Sequence, residues 1–504
     1  MRACVGLSFL VVAALCGCDD DGTSSGDAAA SDAAAGDADS VDAASESFVD
    51  AARPEDAGDV EGVDSGEIDP RDAGAPDVGS DVGSPDAGPP DPRFCPAGFA
   101  DGCCSLSLRY GGGDPDCAPL DCETATLTEP IVLDEVPPSY AGTAAMSWTG
   151  RELRIAWTDP YASAGEGIWD ERRSADGALL SGPTRRAVSL AVGSRFLVAG
   201  AALGYAPSTD RGLFVSLGTR ALHAIEIDAS DAPGWIGDLP PSCNGFHQPV
   251  TVYDTGTEWL VGHVEERCAS PVDPTVTLTR VARDGTVGDS LGALARTRLG
   301  LTTAYDGANE VALVYSGPSP SANADLRARV VDVSAWSEGA ETILVPASSN
   351  VSIDQAEAGH DGTTYGIVYD YLLYAPLGAS RWITEFRTWS PGSEPSAPTM
   401  LFTSSDRRFA QGRVIGTADG WIVAMTTVLS TGTSLAPGAT DDPEVWLYRL
   451  TPDGRVRQSL QIDADQRGAL LPDLEWVGGR IALTWAREDL MRRQHHMLSF
   501  LGCE

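Results

Sequence analysis

The feature that most constrains the fold is a hairpin that recurs from about residue 124 to the end of the chain. In each copy a short apolar run ends at an aromatic or polar residue and turns at glycine. A second, more apolar run follows. The copies are Trp148-Thr149-Gly150 before Leu153–Trp157, Tyr253-Asp254-Thr255-Gly256 before Trp259–Val264, and Tyr305-Asp306-Gly307 before Val311–Tyr315. His360-Asp361-Gly362 before Tyr365–Tyr369, Ala418-Asp419-Gly420 before Trp421–Thr426, and Trp476-Val477-Gly478-Gly479 before Ile481–Trp485 continue the series. A degenerate copy surrounds Gly212, before Leu213–Leu217. From Gly256 onward the turn glycines fall at 256, 307, 362, 420 and 479, spacings of 51, 55, 58 and 59. Asp-Gly and Gly-Gly between apolar runs mark tight hairpins, because these residues tolerate the positive φ that primed turns require. No helical period of useful length competes with the pattern.

A more polar third strand follows each hairpin, as at Trp169–Arg173, Thr275–Val281, Leu326–Val333, Trp382–Trp389 and Trp446–Leu450. Several of these turn again, at Asp176-Gly177, Asp284-Gly285 or Asp453-Gly454, into a fourth. Four antiparallel strands every roughly 45–60 residues, grading from apolar to polar, resemble the blades of a β-propeller. A row of β-sandwich domains would need a period of about 90–100 residues instead. The resemblance implies an all-β domain over residues 123–504 with seven four-stranded blades, six or eight being the alternatives. Its last copy has strands near 469–476, 480–487 and 495–501, after which the chain stops. Thr124–Leu133 is therefore expected to supply the missing outer strand and close the ring. In that arrangement Cys503 follows the third strand and Cys122 precedes its antiparallel neighbour, so the two are expected to be bonded. Cys243 and Cys268 stand alike, before an inner strand and after its partner. Adjacent strands lie about 4.8 Å apart, within disulfide reach.

Cys95, Cys103, Cys104 and Cys117 fall with Cys122 in a cysteine-rich segment, 95–122, and are left to pair among themselves. Eight cysteines beyond residue 18 make an even count, which in an exported chain reads as disulfides. Zinc is the competing reading, but the segment has no C-x₂-C pair and no histidine nearby.

Export is written in residues 1–17. Arg2 supplies a positive start, Val5 to Cys16 is apolar but too short to span a bilayer core, and Leu15-Cys16-Gly17-Cys18 follows. This layout resembles the bacterial lipobox, with Cys16 in place of the usual small residue. The resemblance implies cleavage after Gly17 and acylation of Cys18, a membrane anchor without a transmembrane helix. Such an anchor places the protein in the cell envelope, lipid-anchored to the outer membrane and either periplasmic or surface-exposed. Asp19 would instead favour inner-membrane retention by the sorting rule of enteric bacteria.

Residues 18–94 read as a tether. Positions 19–94 hold 22 acidic residues against Arg53, Arg71 and Arg93, a net charge of −19 (3 − 22). Their only aromatics are Phe48 and Phe94. Such a stretch cannot bury enough apolar surface to offset its chain entropy and is expected to be disordered. Its Asp-Ala-Gly and Asp-Val-Gly units lack the ligand spacing of calcium loops. The whole chain carries a net charge of −39, and its 34 basic residues are all arginine. That acidity argues against a nucleic-acid partner and against electrostatic attachment to anionic lipid. The Lys-free, Ala/Gly/Asp/Arg-rich composition looks like that of a high-GC genome.

Recognisable catalytic chemistry is missing. The six histidines are His223, His247, His263 and His360, scattered over different repeats, and the neighbours His495 and His496, which a strand points to opposite faces. There is no nucleophile elbow, P-loop or dinucleotide fingerprint, and no Ser-x-Asp-x-Gly-x-Thr-Trp box of the sialidase type. His360-Asp361 occupies the turn position of its repeat, so a turn role is expected. Trp148, Trp157, Trp476 and Trp485 are expected to pack between blades. The chain as a whole resembles the uncharacterised propeller lipoproteins of high-GC Gram-negative bacteria. That resemblance implies location and fold: a membrane-held binding or scaffolding protein with no catalytic residue, metal or cofactor assigned, and an envelope protein or polysaccharide as ligand. A polysaccharide lyase or glycosidase, and an accessory lipoprotein of an envelope assembly complex, are the alternatives.

Overall fold

Seven antiparallel sheets follow one another along the chain in the computed structural model, which describes residues 122–133 and, apart from several connecting segments, 143–503. Blades one to six are four-stranded, with strands paired in sequence order. They span Ala145–Ala187, Phe196–Asp238, Phe246–Leu294, Thr302–Val345, Val351–Ser404 and Arg407–Ile462. Blade seven has strands Leu470–Val477, Arg480–Glu488 and Gln494–Gly502. Its outer edge is completed from the other end of the domain by Thr126–Leu127 and Ile131–Val132, which pair antiparallel with Gln494–Gly502. The first strand of each blade touches the first strand of the next, and blade seven's touches blade one's, so the ring is closed. This is a seven-bladed β-propeller, closed as the sequence repeat implies. A second unit, residues 16–87, lies outside the described residues.

Each second strand sits between two neighbouring blades, which explains its unbroken apolar run. Trp259 and Val261 pack toward blade two, while Leu260 and Val264, on the opposite face, pack toward blade four. Trp148 and Trp157 fill the seam between blades seven and one, and Trp476 and Trp485 that between six and seven. A fully buried side chain of this size contributes about 3 kcal/mol in removed apolar surface. Outer strands are exposed, as over Ser337–Leu344 of blade four, where only the last position is buried. The inner strands approach one another closely. A Cβ on Gly359 of blade five would lie 2.1 Å from the Val414 carbonyl oxygen of blade six.

The hairpin glycines behave as their positions demand, with φ of 86° at Gly256 and 97° at Gly362. Blade two departs from expectation. Gly212 lies inside the second strand, Arg211–Gly218, and the chain reverses earlier, between Ala206 and Arg211. Asp210 takes the positive φ of 52° there, a conformation that aspartate tolerates better than most residues.

Cys122 and Cys503 are disulfide-bonded, with Cα atoms 5.8 Å apart. Cys18, Cys95, Cys103, Cys104, Cys117, Cys243 and Cys268 lie outside the described residues. The two rims of the ring differ. First-to-second connections are short, as at 149–152, 255–257 and 361–364. On the other rim most of the strand ends joined second-to-third or fourth-to-first are separated by more residues, as from Asp159 to Gly167, Leu294 to Thr302, Gly317 to Asp325 and Leu429 to Glu444. Cys122 and Cys503 stand on the short-turn side. Among the described residues, no helix is long and apolar enough to cross a membrane.

Candidate functional site: the central channel

The inner strands line a channel, and where they should be simply apolar they carry charge. Glu357 lies in Val351–His360 of blade five, Arg413 in Arg407–Thr417 of blade six, and Asp473 in Leu470–Val477 of blade seven. Glu357 and Asp473 are buried, 5% and 1% exposed. Burial of charge is tolerated only with partners, and here the partners come from neighbouring blades.

The contacts run around the ring. In blade three, the Tyr253 hydroxyl donates to the Thr303 carbonyl of blade four at 2.7 Å, and Thr251 meets the Thr303 hydroxyl. Thr302, pointing the other way, donates to Glu357 Oε2 of blade five at 3.2 Å. Glu357 also accepts from the Gly412 amide of blade six and lies near Arg413. Arg413 Nε donates to Asp473 Oδ1 of blade seven at 2.9 Å. Asp473 Oδ2 then accepts from the Met146 amide of blade one, also at 2.9 Å. One belt of side-chain contacts thus joins blades three, four, five, six, seven and one.

A second link lies nearby. The inner strands of blades five and six are irregular between Ile353 and Ala356 and between Phe409 and Gln411. A bulge leaves ladder groups unpaired. Asp370, fully buried, accepts the Gln355 amide with one oxygen and the Phe409 amide with the other, both at 3.1 Å. A single carboxylate therefore satisfies bulged backbone in two adjacent blades.

Within the belt is a cavity of about 80 Å³, lined by Thr251, Tyr253, Thr303, Glu357, His360 and Arg413 among others from blades two to seven. That is room for a few water molecules, against the roughly 300–1,000 Å³ of a small-molecule pocket. Burial pushes the Glu357 carboxyl up to about 7, with Arg413, the Thr302 hydroxyl and the Gly412 amide opposing and Asp473 adding to the rise. Glu357 can thus exchange a proton near neutrality. Burial lowers the His360 imidazole, against the pull of Asp361 and Asp306.

His360 and Asp361 do serve the turn. Asp361 Oδ1 accepts the Thr363 and Thr364 amides at 2.8 and 2.7 Å, and His360 Nδ1 accepts the Gly362 amide at 3.1 Å. His360 also reaches the cavity wall, which the repeat position did not reveal. The other described histidines belong to the packing. His263 is buried in blade three, and burial lowers its imidazole to about 4. His496 packs beside Trp157 with ring centroids 5.3 Å apart, while His495 is only half-buried. Among the described residues, no group of three or more His, Cys, Asp or Glu is placed to hold a metal ion. Sequence reasoning missed Glu357, Arg413, Asp473 and Asp370. Their signal was a charge inside an otherwise apolar inner or second strand.

No family model and no curated protein matches the sequence. Among solved structures, the chain is similar to an oligogalacturonate lyase from Vibrio parahaemolyticus, at 10% identity and a TM-score of 0.42 over 75% of this chain and 97% of that one. It is also similar to an α-L-arabinofuranosidase from Fusarium graminearum, at 12% identity and a TM-score of 0.37 over 58% and 89% of the two chains. Likeness at this level does not extend to activity.

Proposed function

We propose that this chain is a lipid-anchored, extracytoplasmic binding or scaffolding protein. Cys18 is the acylated residue, residues 18–94 are the spacer, and the propeller is the platform that presents a binding surface to an envelope protein or polysaccharide. One observation carries the choice of platform over enzyme: the channel charges are engaged blade to blade around a cavity that holds only a few waters. Asp473 spends both oxygens on neighbouring blades, and Glu357 is held by groups from blades four and six. A glycosidase sets two carboxylates across the scissile bond, and here Asp473 is already taken up by Arg413 and the Met146 amide.

Acylation is tested by metabolic labelling with an alkyne-bearing fatty acid. The wild type should take up label and partition with membranes, and Cys18→Ser should do neither; unlabelled wild type would contradict the anchor. Binding is tested by cross-linking the mature protein in envelope preparations and by a polysaccharide array. A saturable partner or glycan supports the platform role, and cleavage of a glycan contradicts it.

A second reading has one observation in its favour. Glu357, half-protonated near neutrality beside Arg413, is suited to general-acid work. A polysaccharide lyase or glycosidase built on it would lose turnover in Glu357→Gln.

A further inference from the structure

The place where the chain enters the ring has more fastenings than ring closure requires. The closing segment is a short strand that pairs on one side only. It is broken into Thr126–Leu127 and Ile131–Val132, and pairs Thr126 with Gly502, Leu127 with Leu501, Ile131 with Leu498 and Val132 with Met497. It is also an edge. A pull on the chain ahead of residue 122 would open such a strand one hydrogen bond at a time, the weakest way to load it.

The fastenings lie upstream of the first of those bonds. Cys122 is covalently joined to Cys503. Arg449 of blade six, itself 3% exposed, donates to the Cys122 carbonyl at 2.9 Å and to the Glu123 carbonyl at 3.4 Å. Gln458, beside it, accepts the Ala125 amide at 3.0 Å and donates to the Ala125 carbonyl at 2.8 Å. Arg449 and Gln458 are bonded to each other at 2.9 Å. On the far side of the disulfide, Cys503 ends the strand Gln494–Gly502. That strand pairs along its length with Arg480–Glu488, and it carries the buried Met497, Leu498, Phe500 and Leu501.

We infer that this seam is a load-bearing clasp: tension on the N-terminal segment passes through Cys122–Cys503 and the Arg449–Gln458 pair into blades six and seven, and the closing strand is spared. Its use rests on the proposed anchorage at Cys18, since a membrane tether and a ligand held by the ring would pull against each other at this point. The load path itself is independent of that reading. The clasp is tested without lipid, so its failure and the failure of acylation are separate results.

The test is single-molecule stretching of the mature chain. One handle is placed at residue 121, downstream of Cys95, Cys103, Cys104 and Cys117 so that their bonds carry no load, and the other across the ring, at an azide-bearing residue replacing the exposed Ala340 of blade four. Oxidised wild type should show no extension step before the ring itself ruptures. Reduction under constant low force should add an early step on the order of 70 Å, the extended length of residues 122–143. Cys122→Ser with Cys503→Ser should show the same step from the outset. Arg449→Met with the disulfide intact should show no early step, and after reduction it should release at lower force than reduced wild type. An early step in oxidised wild type, or its absence after reduction, would overturn the clasp. Because reduction is applied to the folded wild type, the result does not depend on the double variant folding.

Discussion

Replacing Glu357 with glutamine should stabilise the protein above neutral pH and leave it unchanged in acid. The folded-state carboxyl is raised from 4.5 to about 7, so the fold prefers its neutral form. The linkage follows: stability is fully present below pH 4.5, falls as pH rises from 4.5 to 7, and stays reduced above that. At 1.36 kcal/mol for each pH unit of difference, the charged form costs about 3 kcal/mol. Glutamine keeps the shape and an acceptor for the Thr302 hydroxyl or the Gly412 amide, and it carries no charge to bury. The assay is urea denaturation of wild type and Glu357→Gln between pH 4.5 and 8.5, comparing midpoints and slopes. The gap between the two proteins should open from near zero at pH 4.5 to about 3 kcal/mol at pH 8. Other titrating groups are common to both proteins and cancel. A gap constant over this range would refute the buried-acid account of the channel, and so would a variant less stable than wild type at pH 8.

Four further outcomes are expected. His263, lowered to about 4 from 6.5 by burial, carries the opposite sign, with stability full above pH 6.5 and lost as pH falls toward 4. A neutral replacement such as His263→Gln should flatten the acid side of the urea-midpoint profile by up to about 3 kcal/mol. Asp370→Ala leaves the Gln355 and Phe409 amides without their acceptor and should cost about 3 kcal/mol or more, with hydrogen exchange faster at those two amides. Cys122→Ser should cost about 2–5 kcal/mol of stability, read as a lowered urea midpoint, and at least that loss should appear on reducing wild type. Gly359→Ala meets the Val414 carbonyl and should cost about 1–3 kcal/mol, read as a lowered midpoint with unchanged slope.

The sequence carried the ring but not its inner wiring. Turn glycines such as Gly256 and Gly362, each between apolar runs, mark a requirement for positive φ that few other residues meet, so the hairpins could be placed directly. Closure followed from a three-stranded last copy and an orphan strand at 124–133, and with it the Cys122–Cys503 pair. Gly212 misled because Asp210 can take the same backbone conformation. Glu357, Arg413 and Asp473 were hidden for a different reason. Period-two alternation tells which face of a strand a residue occupies, but not which residue of the next blade it meets. That depends on strand register, and the bulges at Ile353–Ala356, Phe409–Gln411 and Leu470–Asp473 shift register by amounts no turn signal encodes. Asp370 was hidden by the same irregularities, since its role is to receive the amides they release.

The central claim is that the channel side chains are engaged from blade to blade and that the propeller binds without cleaving. It is tested most directly by incubating the mature protein and its Glu357→Gln variant with a panel of acidic and neutral polysaccharides, and measuring new reducing ends and unsaturated products. The expected result is no product from either protein, with any polysaccharide binding equal in the two. Product formed by wild type and lost in Glu357→Gln would contradict the claim and make the channel an active site.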